Sequence, residues 1–221
     1  MIGTETHADI NNVLFNNCVI RNSNKGFGIN LQDGAIVSNV IFSNLTIETN
    51  RRHWNWWGSA EMCKFILLKR KMSSSLGIIK DIVVENIIAR VRGTSTITGH
   101  TDHALENITF SNVQIFMNPE DSKDKRSTHA LQIDGVKGLK MHNLSVNWAE
   151  ETEKKWQSAL ALKNVSDFVI ESFEGRQGMK DNEEPTILLD NCREGIIRTP
   201  VLLKEQIFLF IYRVIKVMIS S

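Results

Sequence analysis

A short strand-like run ending at an asparagine recurs along the chain, and this repeat constrains the fold more than any other feature. The steps between the anchoring asparagines are 27, 42, 26 and 31 residues, and the anchors are Asn17, Asn44, Asn86, Asn112 and Asn143. A degenerate further copy covers 165–173. Units of this length, with insertions in some of them, are typical of a solenoid in which each unit packs against its neighbours. The spacing therefore predicts one solenoid coil per step.

Each copy has the composition and alternation of β-strands. Apolar and polar residues alternate, and Val, Ile, Phe and Thr are frequent, which favours strands over helices. A second group of strand-like runs covers 28–31, 94–98, 129–133, 158–162 and 186–189. Asparagine tolerates the left-handed backbone at a bend, and its amide can hydrogen-bond the next coil. The sequence thus predicts an all-β fold, a right-handed parallel β-helix with asparagine ladders.

The repeats end before the last part of the chain. Residues 1–197 are expected to form the coils, and residues 198–221 to form an apolar C-terminal cap or an atypical tail. The apolar run 206–218 contains Arg213 and Lys216 and is shorter than the ~20 residues that span a bilayer. A cap over the open solenoid end is favoured over a membrane anchor, because that end exposes unpaired strand edges. A tail foreign to the fold is the alternative.

Charge and cysteine content exclude several classes of partner. The chain has 26 basic and 25 acidic residues, so no basic surface for nucleic acid or an anionic membrane is expected. Cys18, Cys63 and Cys192 lack the paired spacing of a zinc site or disulfide framework, and we expect them in the core. No metal and no cofactor is predicted, and the chain is expected to be monomeric. It opens without the features of a signal peptide.

Three segments are similar to motifs of one enzyme family. Residues 2–5 followed by 10–13 resemble the segment just after the family's catalytic Gly-His-Gly. Residues 25–31 lie at the place of its Gly-Ile-Arg-Ile-Lys strand, and residues 54–61 resemble a Trp-Trp-Gly-x-x-Glu-Pro segment of a bacterial branch. The chain thus resembles the C-terminal part of glycoside hydrolase family 28, the polygalacturonases, which are pectin-lyase-like β-helices.

The resemblance implies a glycosidase that hydrolyses O-glycosidic bonds of a pectin-like polysaccharide with inversion, outside the cell or in the periplasm. This chemistry generally uses one carboxylic acid and one carboxylate. In the family these are aspartates in Asn-Thr-Asp and Asp-Asp motifs that precede the Gly-His-Gly, and neither motif occurs here. We therefore assign no catalytic residue, expect those motifs upstream of Met1, and do not expect the chain alone to be active.

The insertion within the longest step holds most of the substrate-binding candidates, which are Arg51, His53, Trp54, Trp56, Trp57 and Glu61. Aromatic faces stack on sugar rings, while Arg, His and Glu bind hydroxyls or carboxylates around them. The alternative is that the tryptophans fold the insertion back onto the solenoid as a satellite core.

Three further binding candidates come from the resemblance. The family's Arg and Lys, which bind the acidic sugar, match Gly28 and Asn30. Losing two cations favours a neutral, differently decorated or exo-cleaved sugar, although Asn30 can bind a hydroxyl or be an ordinary outward residue. Glu5 and His7 follow the presumed catalytic segment and are either substrate contacts or part of a solvated turn.

Two other functions remain as alternatives to the hydrolase. A non-catalytic glycan-binding β-helix would share the scaffold without the aspartates. A lyase would need an acidic calcium-binding cluster and a basic residue, and no such cluster is evident in the sequence.

Overall fold

The protein is a parallel β-solenoid. The computed structural model describes residues 1–51, 58–179, 183–198, 201–202, 209–212 and 215–220. Within these ranges the regular structure is all β, without a helix, and the parallel strands stack into about 6 turns. The predicted fold class, an all-β parallel β-helix, is confirmed.

The described strands follow the chain in this order: β1 (Ile2–Thr4), β2 (Ile10–Ser23), β3 (Lys25–Leu31), β4 (Ile36–Thr49), β5 (Glu61–Leu67), β6 (Ile78–Val91), β7 (Ser95–Thr98), β8 (Leu105–Met117), β9 (Leu131–Trp148), β10 (Leu160–Glu171), β11 (Glu174–Gly175), β12 (Ile187–Asp190), β13 (Arg193–Arg198), β14 (Val201–Leu202), β15 (Leu209–Tyr212) and β16 (Ile215–Ser220).

Two stacks of strands run along the solenoid. The short-strand stack begins β1, β3, β5, β7 and continues through the first residues of β9 and β10 into β12 and β15. The long-strand stack runs β2, β4, β6, β8, β9, β10, β13 and β16. Pairing is parallel throughout, so each side chain lies directly over its counterpart in the neighbouring coil.

The predicted asparagine ladder is present. The anchors Asn44, Asn86, Asn112 and Asn143 have φ values of 55°, 54°, 54° and 52°. The Nδ2 of Asn86 donates to Oδ1 of Asn44 at 3.1 Å, Asn112 donates to Asn86 at 3.1 Å, and Asn143 donates to Asn112 at 2.9 Å. These bonds satisfy the bend side chains and fix the register of the coils.

A second series of bends lies five residues before the anchors, and the sequence analysis did not predict it. Asn12, Asn39, Asp81 and Asn107 adopt positive φ there. Asn39 donates to Asn12 at 3.3 Å, and Asn107 donates to Asp81 at 2.9 Å. The long strands therefore bend twice, which lets each of them turn two corners of its coil.

Inward residues form one continuous core of stacked aliphatic and aromatic side chains. Phe42 is 1% exposed, and its ring lies 4.3 Å from Phe27 and 5.9 Å from Phe65, measured between centroids. Farther along, Trp148 and Trp156 pack at 4.9 Å. Burial of these large side chains supplies the main favourable term in folding.

The first coil is less covered than the others because β2 has a paired neighbour on one side only among the described strands. Its inward positions Val13, Phe15 and Ile20 are half-buried, and Cys18 is exposed. The expectation that all three cysteines lie in the core is wrong for Cys18 and correct for Cys63 and Cys192.

This difference predicts selective thiol modification. A maleimide is expected to label Cys18 rapidly in the native protein and to spare Cys63 and Cys192, since burial raises the pKa of both buried thiols. Mass spectrometry of the native and denatured protein measures this, with three labels expected after denaturation. Native labelling of Cys63 as fast as Cys18 would contradict the described packing.

Among the described strands of the C-terminal tail, β15 continues the short-strand stack, β16 continues the long-strand stack, and β14 extends β11, which pairs with Ser145 of β9. β14 pairs with β11, β15 with β12 and β16 with β13, each in parallel. In the backbone register Leu209 pairs with Ile187, and Ile215 pairs with Arg193. The tail thus adds strands over the last coil. The described ranges contain no helix long and apolar enough to cross a membrane.

Candidate functional site

A row of stacked residues, three of them polar, lies on the outer surface of the short-strand stack. Gly28 of β3, Lys64 of β5, Thr96 of β7 and Gln132 of β9 pair directly with one another in successive coils. Neighbouring strands lie about 4.8 Å apart, so these groups form a regularly spaced ladder. Their alternation with inward residues such as Phe65 places them on the outer face.

Two cavities open on this face and share Glu61 and Lys64. The Lys64 cavity has a volume of about 230 Å³, and its lining includes Glu61, Lys64, Thr96, Arg126, Ser127 and Gln132. The Asn30 cavity is smaller, about 70 Å³, and its lining includes Lys25, Gly28, Asn30, Glu61 and Lys64. The two cavities therefore bring together cationic groups, hydroxyls, side-chain amides and one carboxylate from neighbouring coils.

Glu61 is the buried acid of the site. It is 1% exposed, and its Oε2 accepts the backbone N–H of Ser59 at 2.5 Å. Its Oε1 has no hydrogen-bond partner among the described residues. A buried carboxylate oxygen without a donor costs free energy, so this atom is a natural acceptor for a water or ligand hydroxyl.

Two lysines lie close to Glu61. Burial lowers the pKa of Lys25, the Glu61 carboxylate opposes this shift, and the charge of Lys64 adds to it. Both ammonium groups line the Asn30 cavity with the single carboxylate. The local excess of positive charge favours an anionic group on any ligand that enters.

The loop 118–130 forms one wall of the Lys64 cavity. Glu120 organises it: its Oε2 accepts the backbone N–H groups of Arg126 at 2.6 Å and Ser127 at 2.8 Å, and the Ser127 hydroxyl at 3.1 Å. Glu120 is 2% exposed, so these are buried charge-assisted bonds. They hold Arg126 and Ser127 at the cavity wall.

Arg51 anchors the same loop from two coils earlier, since β6 lies between β4 and β8 in the stack. Its side chain is 3% exposed, and its Nη1 lies 3.5 Å from Oε1 of Glu120. Arg51 also donates to the Asp124 carbonyl oxygen at 3.0 Å and to the Asp124 Oδ2 at 3.2 Å. Arg51, a predicted substrate-binding residue, is thus engaged with protein groups and positions the wall of the cavity.

The other candidates from the insertion fall into two groups. Glu61 lines both cavities. His53, Trp54, Trp56 and Trp57 lie outside the described residues. The described ends of this segment, Arg51 and Gly58, are both buried.

The three remaining substrate-binding candidates lie in two regions: Asn30 in a cavity, and Glu5 and His7 in a turn. Asn30 is half-buried, lines the Asn30 cavity and accepts the Gln32 side-chain amide at 3.1 Å. Glu5 and His7 are exposed in the turn after β1.

That turn lies beside an ion pair. Arg70 contacts Asp33 at 3.0 Å and the Thr4 carbonyl oxygen at 2.9 Å, and Glu5 lies 4.0 Å from the Arg70 guanidinium. The hydrogen bond from Arg70 is the main cause that lowers the pKa of Asp33, and His7 contributes in the same direction. The structure thus groups Glu5 and His7 around the Asp33–Arg70 pair.

Sequence reasoning missed Lys64, Arg126 and Gln132. The insertion separates β5 from its repeat anchor, so the repeat spacing does not place the strand 61–67 in register with the other short strands. Aligning it places Lys64 directly over Gly28. A cation therefore lies one coil further on from Gly28, the position that the resemblance matches to a cationic residue.

No protein-family model matches the chain, and the comparisons with curated proteins and with solved structures gave no match either. Among the described residues, no group of three His, Cys, Asp or Glu side chains is arranged to hold a metal ion. What supports a function is therefore the geometry of the two cavities on a solenoid consistent with a pectin-lyase-like β-helix.

Proposed function

We propose that this chain binds a carboxylated polysaccharide of the pectic type on the outer face of the short-strand stack, as the substrate-binding side of a polygalacturonase-like glycoside hydrolase. The observation that carries the proposal is the Lys64 cavity. In it, two cationic residues, Lys64 and Arg126, lie with the hydroxyl of Thr96, the amide of Gln132 and the buried acid Glu61.

The chemistry of these groups complements an acidic sugar. The Lys64 ammonium pairs with the uronate carboxylate, while Glu61 accepts a ring hydroxyl. Thr96 and Gln132 each both donate and accept, so they fit further hydroxyls along the polymer. Arg126 is partly neutralised by Asp124 at 2.5 Å, which makes Lys64 the main counter-charge.

Hydrolysis needs more than these groups supply. Inverting hydrolysis uses two carboxyl groups about 6.5–9.5 Å apart. Glu61 is the one carboxylate among the described lining residues of the Lys64 cavity. The hydrolase part of the proposal therefore depends on aspartate motifs additional to this chain. Reducing-sugar release from polygalacturonate by a chain that carries those motifs supports a hydrolase; binding without release supports the non-catalytic glycan-binding alternative.

Replacing Lys64 with alanine is expected to weaken binding of oligogalacturonides at least tenfold, because the main partner of the sugar carboxylate is lost. Calorimetric titration of the whole chain measures the change. The control is Lys140→Ala, since Lys140 is exposed on β9 in the other stack.

The fully methyl-esterified oligomer provides a second control. It lacks the charge that Lys64 recognises, so the Lys64→Ala variant and the unchanged protein should bind it equally. Unaltered affinity of Lys64→Ala for the acidic oligomer would refute the proposed role of this face.

A further inference from the structure

A larger cavity lies on the other side of the loop 118–130. This Lys154 cavity has a volume of about 820 Å³ and is lined by parts of that loop, by Arg92 and by the segment 149–155. The loop contributes Lys125 to the Lys154 cavity and the next residues, Arg126 and Ser127, to the Lys64 cavity. One stretch of backbone therefore separates the two.

Two buried acids line the Lys154 cavity. The side chains of Glu120 and Glu153 are 1% and 7% exposed. Glu153 Oε1 accepts the backbone N–H of Glu120 at 2.5 Å and the Lys125 ammonium at 3.0 Å. Glu120 Oε1 and Glu153 Oε2 have no hydrogen-bond partner among the described residues, although Arg51 lies 3.5 Å from Glu120 Oε1. These two carboxylate oxygens can therefore still accept hydrogen bonds from a ligand.

Cations lie around the same cavity. Lys155 donates to the Lys125 carbonyl oxygen at 2.7 Å, and Arg92 donates to the Pro119 carbonyl oxygen. Lys154 is exposed and has no hydrogen bond or ion pair among the described residues. The exposed carboxylates of Asp121 and Glu151 also line the cavity, so its lining carries both signs of charge, and the Lys154 ammonium is the group available to an anionic ligand.

We propose that the Lys154 cavity is a second subsite for the same acidic polymer. Sugar hydroxyls donate to Glu120 and Glu153, and a carboxylate of the polymer pairs with Lys154. A linear oligomer that fills both cavities crosses the loop at Lys125 and Arg126. This inference rests on the proposed function, and it makes recognition depend on the length of the oligosaccharide.

A length series tests this directly. Oligogalacturonides from the disaccharide to the octasaccharide are titrated into the whole chain. Affinity should rise with length, because the second cavity engages at a high effective concentration once the first is filled. The Lys154→Ala variant should bind the disaccharide normally and the octasaccharide about fivefold to tenfold more weakly, whereas Lys64→Ala should weaken both.

The control is Lys123→Ala, because Lys123 is exposed in the same loop but is not a lining residue of either cavity. Equal octasaccharide affinity for Lys154→Ala and Lys123→Ala would overturn the second subsite. If the disaccharide binds and Lys64→Ala weakens it, the proposed function stands even when length dependence is absent. Failure of every oligomer to bind the unchanged protein would instead overturn both.

Discussion

The Phe42→Ala variant is expected to lose about 3–5 kcal/mol of unfolding free energy, the range typical of a large aromatic residue removed from a core. Phe42 is 1% exposed and stacks on Phe15 at 5.1 Å, on Phe27 at 4.3 Å and on Phe65 at 5.9 Å. The substitution therefore opens a cavity where the first coils meet, and neighbouring coils cannot close it without breaking their paired register.

Denaturant unfolding followed by circular dichroism measures this loss as a shift in the midpoint. Ile41→Ala is the matched control, since the adjacent side chain points outward and is 37% exposed. It should change stability by no more than about 0.5–1 kcal/mol. Similar losses in the two variants would contradict the inward and outward assignment of β4.

The Arg51→Met variant is expected to destabilise the protein by about 3–5 kcal/mol, the cost of removing one partner from a buried ion pair. Arg51 and Glu120 side chains are 3% and 1% exposed, so Glu120 would be left with an uncompensated buried charge. Because Glu120 also holds the backbone of Arg126 and Ser127, the wall of the Lys64 cavity should loosen and oligogalacturonide affinity should fall.

Two comparisons separate this effect from a general loss of charge. Arg21→Met removes the partner of Glu48 in an exposed pair with side chains 75% and 53% accessible, so the melting temperature should not change. The Arg51→Met, Glu120→Gln double variant should recover part of the lost stability, because the buried charge is removed. Equal melting temperatures for Arg51→Met and Arg21→Met would show that the buried network does not hold the loop.

The sequence predicted the solenoid because its ladder depends on one residue type. Asparagine tolerates positive φ and hydrogen-bonds its copy in the next coil, so the anchors from Asn44 to Asn143 repeat visibly. The bend five residues before each anchor was not predicted because its residue type varies. Asp81 and Gly138 occupy positions that are filled by asparagine in other coils. Backbone conformation is shared there, but side-chain identity is not.

The candidate site was predicted only in part. Glu61 was identified because it belongs to the insertion. The role of Arg51 could not be read from sequence, since its partner Asp124 is 73 residues away and the loop packs against it only in the folded solenoid. The outward position of Lys64 can be predicted from the sequence once the strand 61–67 is placed in register with the other short strands. The proximity of Arg126 to Gln132 cannot, because it depends on how the loop 118–130 folds.

A crystal structure of this chain with a bound oligogalacturonide would test the proposed binding face directly. We expect a sugar carboxylate within ion-pair distance of Lys64 and a hydroxyl donating to Glu61, on the outer face of the short-strand stack. A sugar bound to the long-strand stack, with the Lys64 cavity left empty, would contradict this expectation.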